Sequence, residues 1–366
     1  MTLPEQTPLD TSATLLVSEQ PLCAAYDVAL LDLDGVCFAG EARVPYAADN
    51  VNAARAAGMR LSFVTNNASR APQTVVDKLK ANDIVAEPAE VFSAAMDAAA
   101  MLTEHVQPGS MVLVVGGDGV RQALLDEGFR VTSSAQDEPV AVVQGWDPAV
   151  DWALLSEGLY AINAGALHVA TNLDATLPTE RGFALGNGSL VAAVVNASGK
   201  EPLAGGKPFP GIYTRALKRA GGTRPLAVGD RLDTDHVGAR AAGIPGLHVL
   251  TGVSDARDVI AAPAAERPCF LHTDLRGLTE PHPEPVRVVQ DGQEWWQVGD
   301  RRARVVGSRL ELQHGGAVTA HDGAPVRIDL DSYRALAVAA WDWSDAQDAR
   351  AEAAALDLPE IEVIEP

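Results

Sequence analysis

The chain has 366 residues, 47% hydrophobic and 21% charged, a soluble globular composition too long for one ordinary core, so two or three domains are expected. Its formal net charge of −21 argues against nucleic acid and membrane as partners. The same field repels phosphorylated substrates, so a phosphate site here needs a cation of its own.

Residues 1–22 read as a loose acidic tail. The first basic residue is Arg43, so the start lacks the cationic region of a signal peptide. No apolar run reaches transmembrane length. Cys23, Cys37 and Cys269 are too widely spaced for a metal pattern or a disulfide framework, and reduced thiols of a cytoplasmic protein are expected. From Tyr26 the order is strand 27–33, helix 47–57 with Gly58 as C-cap, strand 60–64 and a helix opened by Pro72. A second series follows: strand 111–115, helix 120–127, strand 140–144, helix 151–164, strand 168–170 and helix 188–197. The loop GGKPFP (205–210) leads into a helix to Ala220, then come strands 225–228 and 247–250. This is the alternation of a parallel α/β sheet. After Arg276 the texture changes. PHPEP (281–285) reads as a stiff linker. Beyond it, strands at 286–290, 294–298, 303–306 and 309–313 and helices at 331–343 and 345–356 make an α+β segment.

Four clusters can carry chemistry. Strand 27–33 delivers Asp32 and Asp34, two residues apart and hence on one face, at the carboxyl edge where α/β proteins build sites. Alone, such a pair is more often a solvated strand end. The next strand ends in Thr65-Asn66-Asn67, which is either ordinary turn chemistry or a set of neutral donors facing an anion. Lys207 is one of only five lysines and lies between Gly206 and Pro208, with no P-loop spacing around it. Asp230, Asp233 and Asp235 follow the strand at 225–228, and three carboxylates at one strand end exceed what helix capping uses. They suit a hard divalent ion such as Mg²⁺. Together the clusters support phosphoryl transfer. Asp32 attacks phosphorus, Asp34 moves the proton, Lys207 neutralises phosphoryl oxygens, and Mg²⁺ offsets the carboxylates' repulsion.

The ordered segments LLDLDGV (30–36), FVTNN (63–67), GGKPFPGIY around Lys207 and VGDRLDTD (228–235) resemble the four motifs of the haloacid dehalogenase superfamily, class IIA, the NagD-like phosphatases. The resemblance implies a Rossmann-like core over 23–92 and 204–276, an inserted α/β cap over 93–203, and a C-terminal α+β domain over 281–366. It also implies the roles. Asp32 is the nucleophile and Asp34 the general acid/base. Mg²⁺ is held by Asp32, the Asp34 carbonyl and Asp230, with Asp235 supporting. Phosphate is held by Thr65, by the backbone of Asn66 and Asn67, and by Lys207. In the cap, Asn172, Asp174 and Arg181 are candidates to contact the rest of the substrate, and they suit hydroxyls better than an aromatic ring. The partner is then a small phosphorylated metabolite, and homo-oligomerisation stays open. The layout is similar to actinobacterial glycerol-3-phosphate phosphatases, which puts glycerol 3-phosphate ahead of 2-phosphoglycolate, pyridoxal phosphate or a nucleotide. A receiver-like phospho-switch is the non-enzymatic alternative, but it has no need of the 93–203 insertion. The C-terminal segment resembles an acetyltransferase-type (GNAT-like) fold without a pyrophosphate-binding glycine loop, so no acetyl transfer is expected.

Overall fold

The computed structural model describes residues 15–179, 181–314, 317–320, 325–348 and 356–364. The chain forms two compact units, residues 1–61 with 222–366, and residues 62–221.

The first unit holds parallel strands in the order Phe270–His272, Gly246–Val249, Pro225–Gly229, Val28–Leu31. All four residues of Val28–Leu31 are buried, as a strand covered on both faces requires. Leu31 pairs with Val228, and the Asp32 N–H donates to the Val228 carbonyl at 2.9 Å. That register makes Asp32 and Asp230 leave the sheet at the same carboxyl edge.

The same unit contains an antiparallel sheet of Val286–Gln290, Gln293–Val298, Arg301–Val306, Arg309–His314 and Ala317–Ala320. The last strand was not expected; it follows a Gly-Gly pair that reads as loop. A single helix, Leu330–Asp348, runs through the break expected near residue 344, and residues 349–355 of the second expected helix lie outside the described residues. Its residues Tyr333, Leu336 and Trp341 share one apolar cluster with Val298, Ala303 and Leu310 of the antiparallel sheet. Val259, Ile260 and Leu271 from the parallel layer belong to that cluster too. Trp341 Nε1–H donates to the Val259 carbonyl at 2.9 Å, and Arg334 donates twice to the Leu271 carbonyl, at 3.1 and 3.0 Å.

The stretch read as a stiff linker is therefore pinned. His282 is buried, and its backbone exchanges two hydrogen bonds with Ser18, at 2.8 and 2.9 Å. The end of the expected tail is held as well: Leu15 joins the apolar cluster, and the Leu16 N–H donates to the Cys269 carbonyl at 2.9 Å.

The second unit is built on a parallel sheet in the order Leu203–Ala204, Leu167–Ala170, Ala141–Gln144, Met111–Val115, Arg130–Thr132. Alternation along Met111–Val115 feeds two cores. Val112 and Val114 pack with Ala98 and Leu124, while Leu113 and Val115 pack with Ile162 and Val194. An antiparallel hairpin, Thr176–Thr179 with Gly182–Leu185, was not expected, because Pro178 weakens the strand signal. Strand Arg60–Thr65 passes from the first unit into the second, where Thr65 pairs with Ser93 of the parallel strand Val91–Ser93. Both units are thus α/β, and the segment from 286 onward adds the expected α+β part. Among the described residues, no helix is long and apolar enough to cross a membrane.

Candidate active site

In the first unit, carboxylate oxygens of Asp32, Asp230 and Asp235 lie within 4.8 Å of one another. Two strand ends supply them: Val28–Leu31 delivers Asp32, and Pro225–Gly229 delivers Asp230 directly and Asp235 through the π-helical turn Leu232–His236. Such turns are rare and concentrate at functional sites. Asp230 is fully buried and Asp235 nearly so. Asp230 Oδ2 accepts from the Val253 N–H at 2.7 Å, and Asp235 Oδ2 accepts from the Arg231 N–H at 3.2 Å.

Glycines let the backbone close on these groups. A Cβ on Gly252 would lie 1.9 Å from Asp230 Oδ2, one on Gly35 (φ 86°) 2.5 Å from the same atom, and one on Gly229 2.3 Å from Asp235 Cβ. Three carboxylates so close, two of them buried and Asp32 partly so, repel, and a divalent cation with hard-oxygen preference fits the donor set. The Asp34 side chain is exposed and is not one of the three. Cys37 packs beneath, its Sγ–H donating to the Asp32 carbonyl at 3.3 Å. Burial pushes its thiol well above the ordinary range, and the charges of Asp32 and Asp34 add to this. His248, also buried, is held well below the usual imidazole range by that burial, and its Nε2 lies 3.1 Å from the Asp230 carbonyl.

In the second unit, Thr65, Asn66, Lys207, Asn172 and Asp174 come together. Asn66 Oδ1 accepts from the Lys207 N–H at 2.7 Å, while its Nδ2 donates to the Lys207 carbonyl and to Asp174 Oδ2, both at 3.0 Å. Asn172 Nδ2 donates to the Asn66 carbonyl at 2.9 Å, and Asn172 Oδ1 accepts from the Asp174 N–H at 3.2 Å. Thr65 Oγ1 accepts from the Asn67 N–H at 3.1 Å, and Asn67 Oδ1 accepts from the Ser69 N–H at 3.0 Å, which shapes the turn. Lys207 is 4% exposed, unusual for a lysine and consistent with a site rather than a surface charge. Arg181 is different. It is exposed in the turn of the 176–185 hairpin, and no described contact joins its side chain to Asn172 or Asp174.

Three supporting residues, Asn187, Asp97 and Arg215, lie outside the sequence motifs. Asn187, buried, donates from Nδ2 to the carbonyls of Asn172 (2.8 Å) and Gln144 (3.2 Å), fixing the loop that carries Asn172. Asp97, fully buried, accepts from the Gly206 N–H at 2.9 Å and from Arg215 Nη1 at 3.0 Å. Burial raises the Asp97 carboxyl above its usual range, against the opposing pull of Gly206 and Arg215. The signal for Asp97 was in plain view, as the lone charge in the helix sequence AAMDAAAML.

Residues 29–130 match the family described as haloacid dehalogenase-like hydrolase, and residues 204–278 match one described as HAD-hydrolase-like. The chain is 40% identical to D-glycerol 3-phosphate phosphatase of Mycobacterium tuberculosis over 323 residues, 87% of this chain and 86% of that one. It is 35% identical to acid sugar phosphatase of Staphylococcus aureus over 237 residues, 64% of this chain and 90% of that one. The crystal structure of glycerol phosphate phosphatase from M. tuberculosis in complex with magnesium is similar with a TM-score of 0.76 and 37% identity, covering 88% of this chain and 92% of that one.

Proposed function

Because this chain belongs to the haloacid dehalogenase-like hydrolases, we propose that it is a Mg²⁺-dependent phosphatase of a small polyol phosphate, glycerol 3-phosphate before others. The observation that carries the reading is the close group of Asp32, partly buried, with buried Asp230 and Asp235, whose mutual repulsion calls for a divalent ion. Magnesium in the similar crystal structure supports that choice of ion.

Asp32 would attack phosphorus through a carboxylate oxygen, and the bond from phosphorus to the ester oxygen breaks. Asp34, as the acid, gives its proton to the departing alkoxide. As the resulting base, it takes a proton from water while that water's oxygen attacks the aspartyl-phosphate, which frees Asp32 and inorganic phosphate. Thr65, Asn66 and Asn67 would donate hydrogen bonds to the phosphoryl oxygens, and the Lys207 ammonium would balance their charge. Asp32, the Asp34 carbonyl and Asp230, supported by Asp235, would hold Mg²⁺, which when bound polarises the phosphoryl group and offsets the local negative charge.

Substrate choice falls to the 93–203 stretch. Asn172 and Asp174 are fixed polar groups suited to hydroxyls, and we assign them to the alcohol part, with Arg181 a weaker candidate. Coverage favours glycerol 3-phosphate over sugar phosphates. The match to the mycobacterial enzyme extends over 87% of the chain, against 64% for the acid sugar phosphatase. The test is kcat/KM across glycerol 3-phosphate, 2-phosphoglycolate, pyridoxal phosphate, sugar phosphates and nucleotides. Glycerol 3-phosphate should lead, and another ester ahead of it by tenfold overturns the assignment.

A further inference from the structure

Asp97 is out of keeping with its helix. Ala94–Leu102 packs through Ala94, Ala98 and Leu102 into an apolar core, and an alanine at position 97 would match its neighbours. A buried carboxylate is costly unless it is paired and hydrogen-bonded, so stability alone does not call for one. Its two oxygens have separate partners. Oδ1 accepts from Arg215 Nη1, and Oδ2 accepts from the Gly206 N–H, immediately before Lys207. Arg215 is itself flanked by Glu104, at 3.6 Å. Charge-assisted hydrogen bonds of this kind are roughly twice as strong as neutral ones.

The loop has no room to slide. A Cβ on Gly205 would lie 2.8 Å from Asp97 Oδ2, and one on Gly206 (φ 74°) would lie 2.7 Å from the Thr171 carbonyl and 2.9 Å from Asn66 Oδ1. The dipeptide before the lysine is thus enclosed by the carboxylate on one side and by Thr171 and Asn66 on the other. We infer that Asp97, backed by Arg215, is a positioning residue for Lys207: it fixes the loop that carries the ammonium without touching substrate. This rests on Lys207 meeting the phosphoryl group as proposed above.

The test is a double-mutant cycle on the full chain with Mg²⁺, using Asp97→Ala, Asp97→Asn, Lys207→Ala and Asp97→Ala/Lys207→Ala. The readouts are kcat and KM for p-nitrophenyl phosphate and the inhibition constant of vanadate, with circular dichroism reporting the fold. Asp97→Ala should lower kcat/KM by about 10–100-fold, the scale of a displaced catalytic group. In the Lys207→Ala background it should cost less than about twofold, because the group it positions is gone. If that background turns over too slowly to resolve, the vanadate constants carry the same comparison. Asp97→Asn keeps an acceptor for Gly206 but faces Arg215 with a second donor. It should fold and give an intermediate loss, so the inference stays testable if Asp97→Ala does not fold. Equal losses in both backgrounds, or an Asp97→Asn variant within twofold of wild type, overturn the inference. If Lys207→Ala itself stays within twofold of wild type, the role of Lys207 fails instead.

Discussion

Asn66 grips Lys207 at both ends of the residue: its Oδ1 accepts from the lysine N–H at 2.7 Å and its Nδ2 donates to the lysine carbonyl at 3.0 Å. One planar amide thus fixes the backbone from which the buried lysine side chain projects. The same Nδ2 reaches Asp174 Oδ2, so the loop that carries Asp174 is tied to the loop that carries the cation. Asn66→Ala removes all three bonds. We expect kcat for p-nitrophenyl phosphate to fall about 10–100-fold through misplacement of Lys207, and stability to drop by about 1–3 kcal/mol at roughly 1 kcal/mol per bond. Steady-state kinetics beside urea unfolding checks both, and an unchanged kcat contradicts the assignment.

The carboxylate group of the first unit predicts a metal-dependent stability. Mg²⁺ should raise the melting temperature of the wild type and restore activity lost to EDTA, by mass action on the folded state. Asp230→Asn removes one of three repelling charges. In EDTA it should therefore melt no lower than the wild type, while the Mg²⁺ concentration for half-maximal activity rises by more than about tenfold as a ligand charge is lost. Thermal melts with and without Mg²⁺ decide this. A wild type indifferent to Mg²⁺ in both melting and turnover excludes the metal assignment.

Two buried histidines set an acid limit. Burial pushes His168 down to about 4 and, with added repulsion from Arg334 and His272, His282 down to about 3. Both are neutral when folded and bind protons more readily when unfolded, near pH 6.5. Their contribution is therefore complete above about pH 6.5 and is lost as pH falls toward 4 and 3. His168 alone should cost about 2–3 kcal/mol between pH 7 and pH 4.5, at 1.36 kcal/mol per pH unit. Urea unfolding at both pH values, for wild type and His168→Gln, isolates it. The variant should lose less stability over that interval, and equal losses contradict the prediction.

The C-terminal helix should stabilise the first unit as a whole. Trp341 is buried among Val259 and Ile260 as well as residues of its own segment, and its Nε1–H bonds the Val259 carbonyl. Trp341→Ala should destabilise by about 3–5 kcal/mol, with kcat/KM of the folded protein at low temperature within about twofold of wild type, since Trp341 is outside the proposed chemistry. Deletion of 281–366 should then give an aggregation-prone protein, because it uncovers Leu271, Val259 and Ile260. A truncated chain as stable as the whole would contradict this packing.

What the sequence made legible was local. Apolar runs ending in Asp32 and in Gly229-Asp230 identified the strand ends that meet in the first unit, because a parallel strand buried on both faces has a continuous apolar signature. Lys207 stood out by scarcity and by its glycine neighbours. Contacts between distant segments were not legible. Asp97 and Gly206 are 109 residues apart, and spacing rules say nothing about such a pair. In the sequence Asn66 reads as a backbone donor, whereas its side chain also clamps Lys207, a role that only the fold brings about. The 281–285 stretch looked like a spacer by composition, yet burial of His282 decides its conformation. Arg181 groups with Asn172 and Asp174 by proximity in sequence, but it sits in the turn of the 176–185 hairpin that follows their loop.

The most direct test of the central claim is phosphate release from glycerol 3-phosphate with Mg²⁺, measured side by side for wild type and Asp32→Asn. Turnover by the wild type and none above background for the variant, with both proteins folded, is the predicted result. Turnover retained by Asp32→Asn contradicts the nucleophile, and a wild type that hydrolyses no phosphomonoester contradicts the proposed function itself.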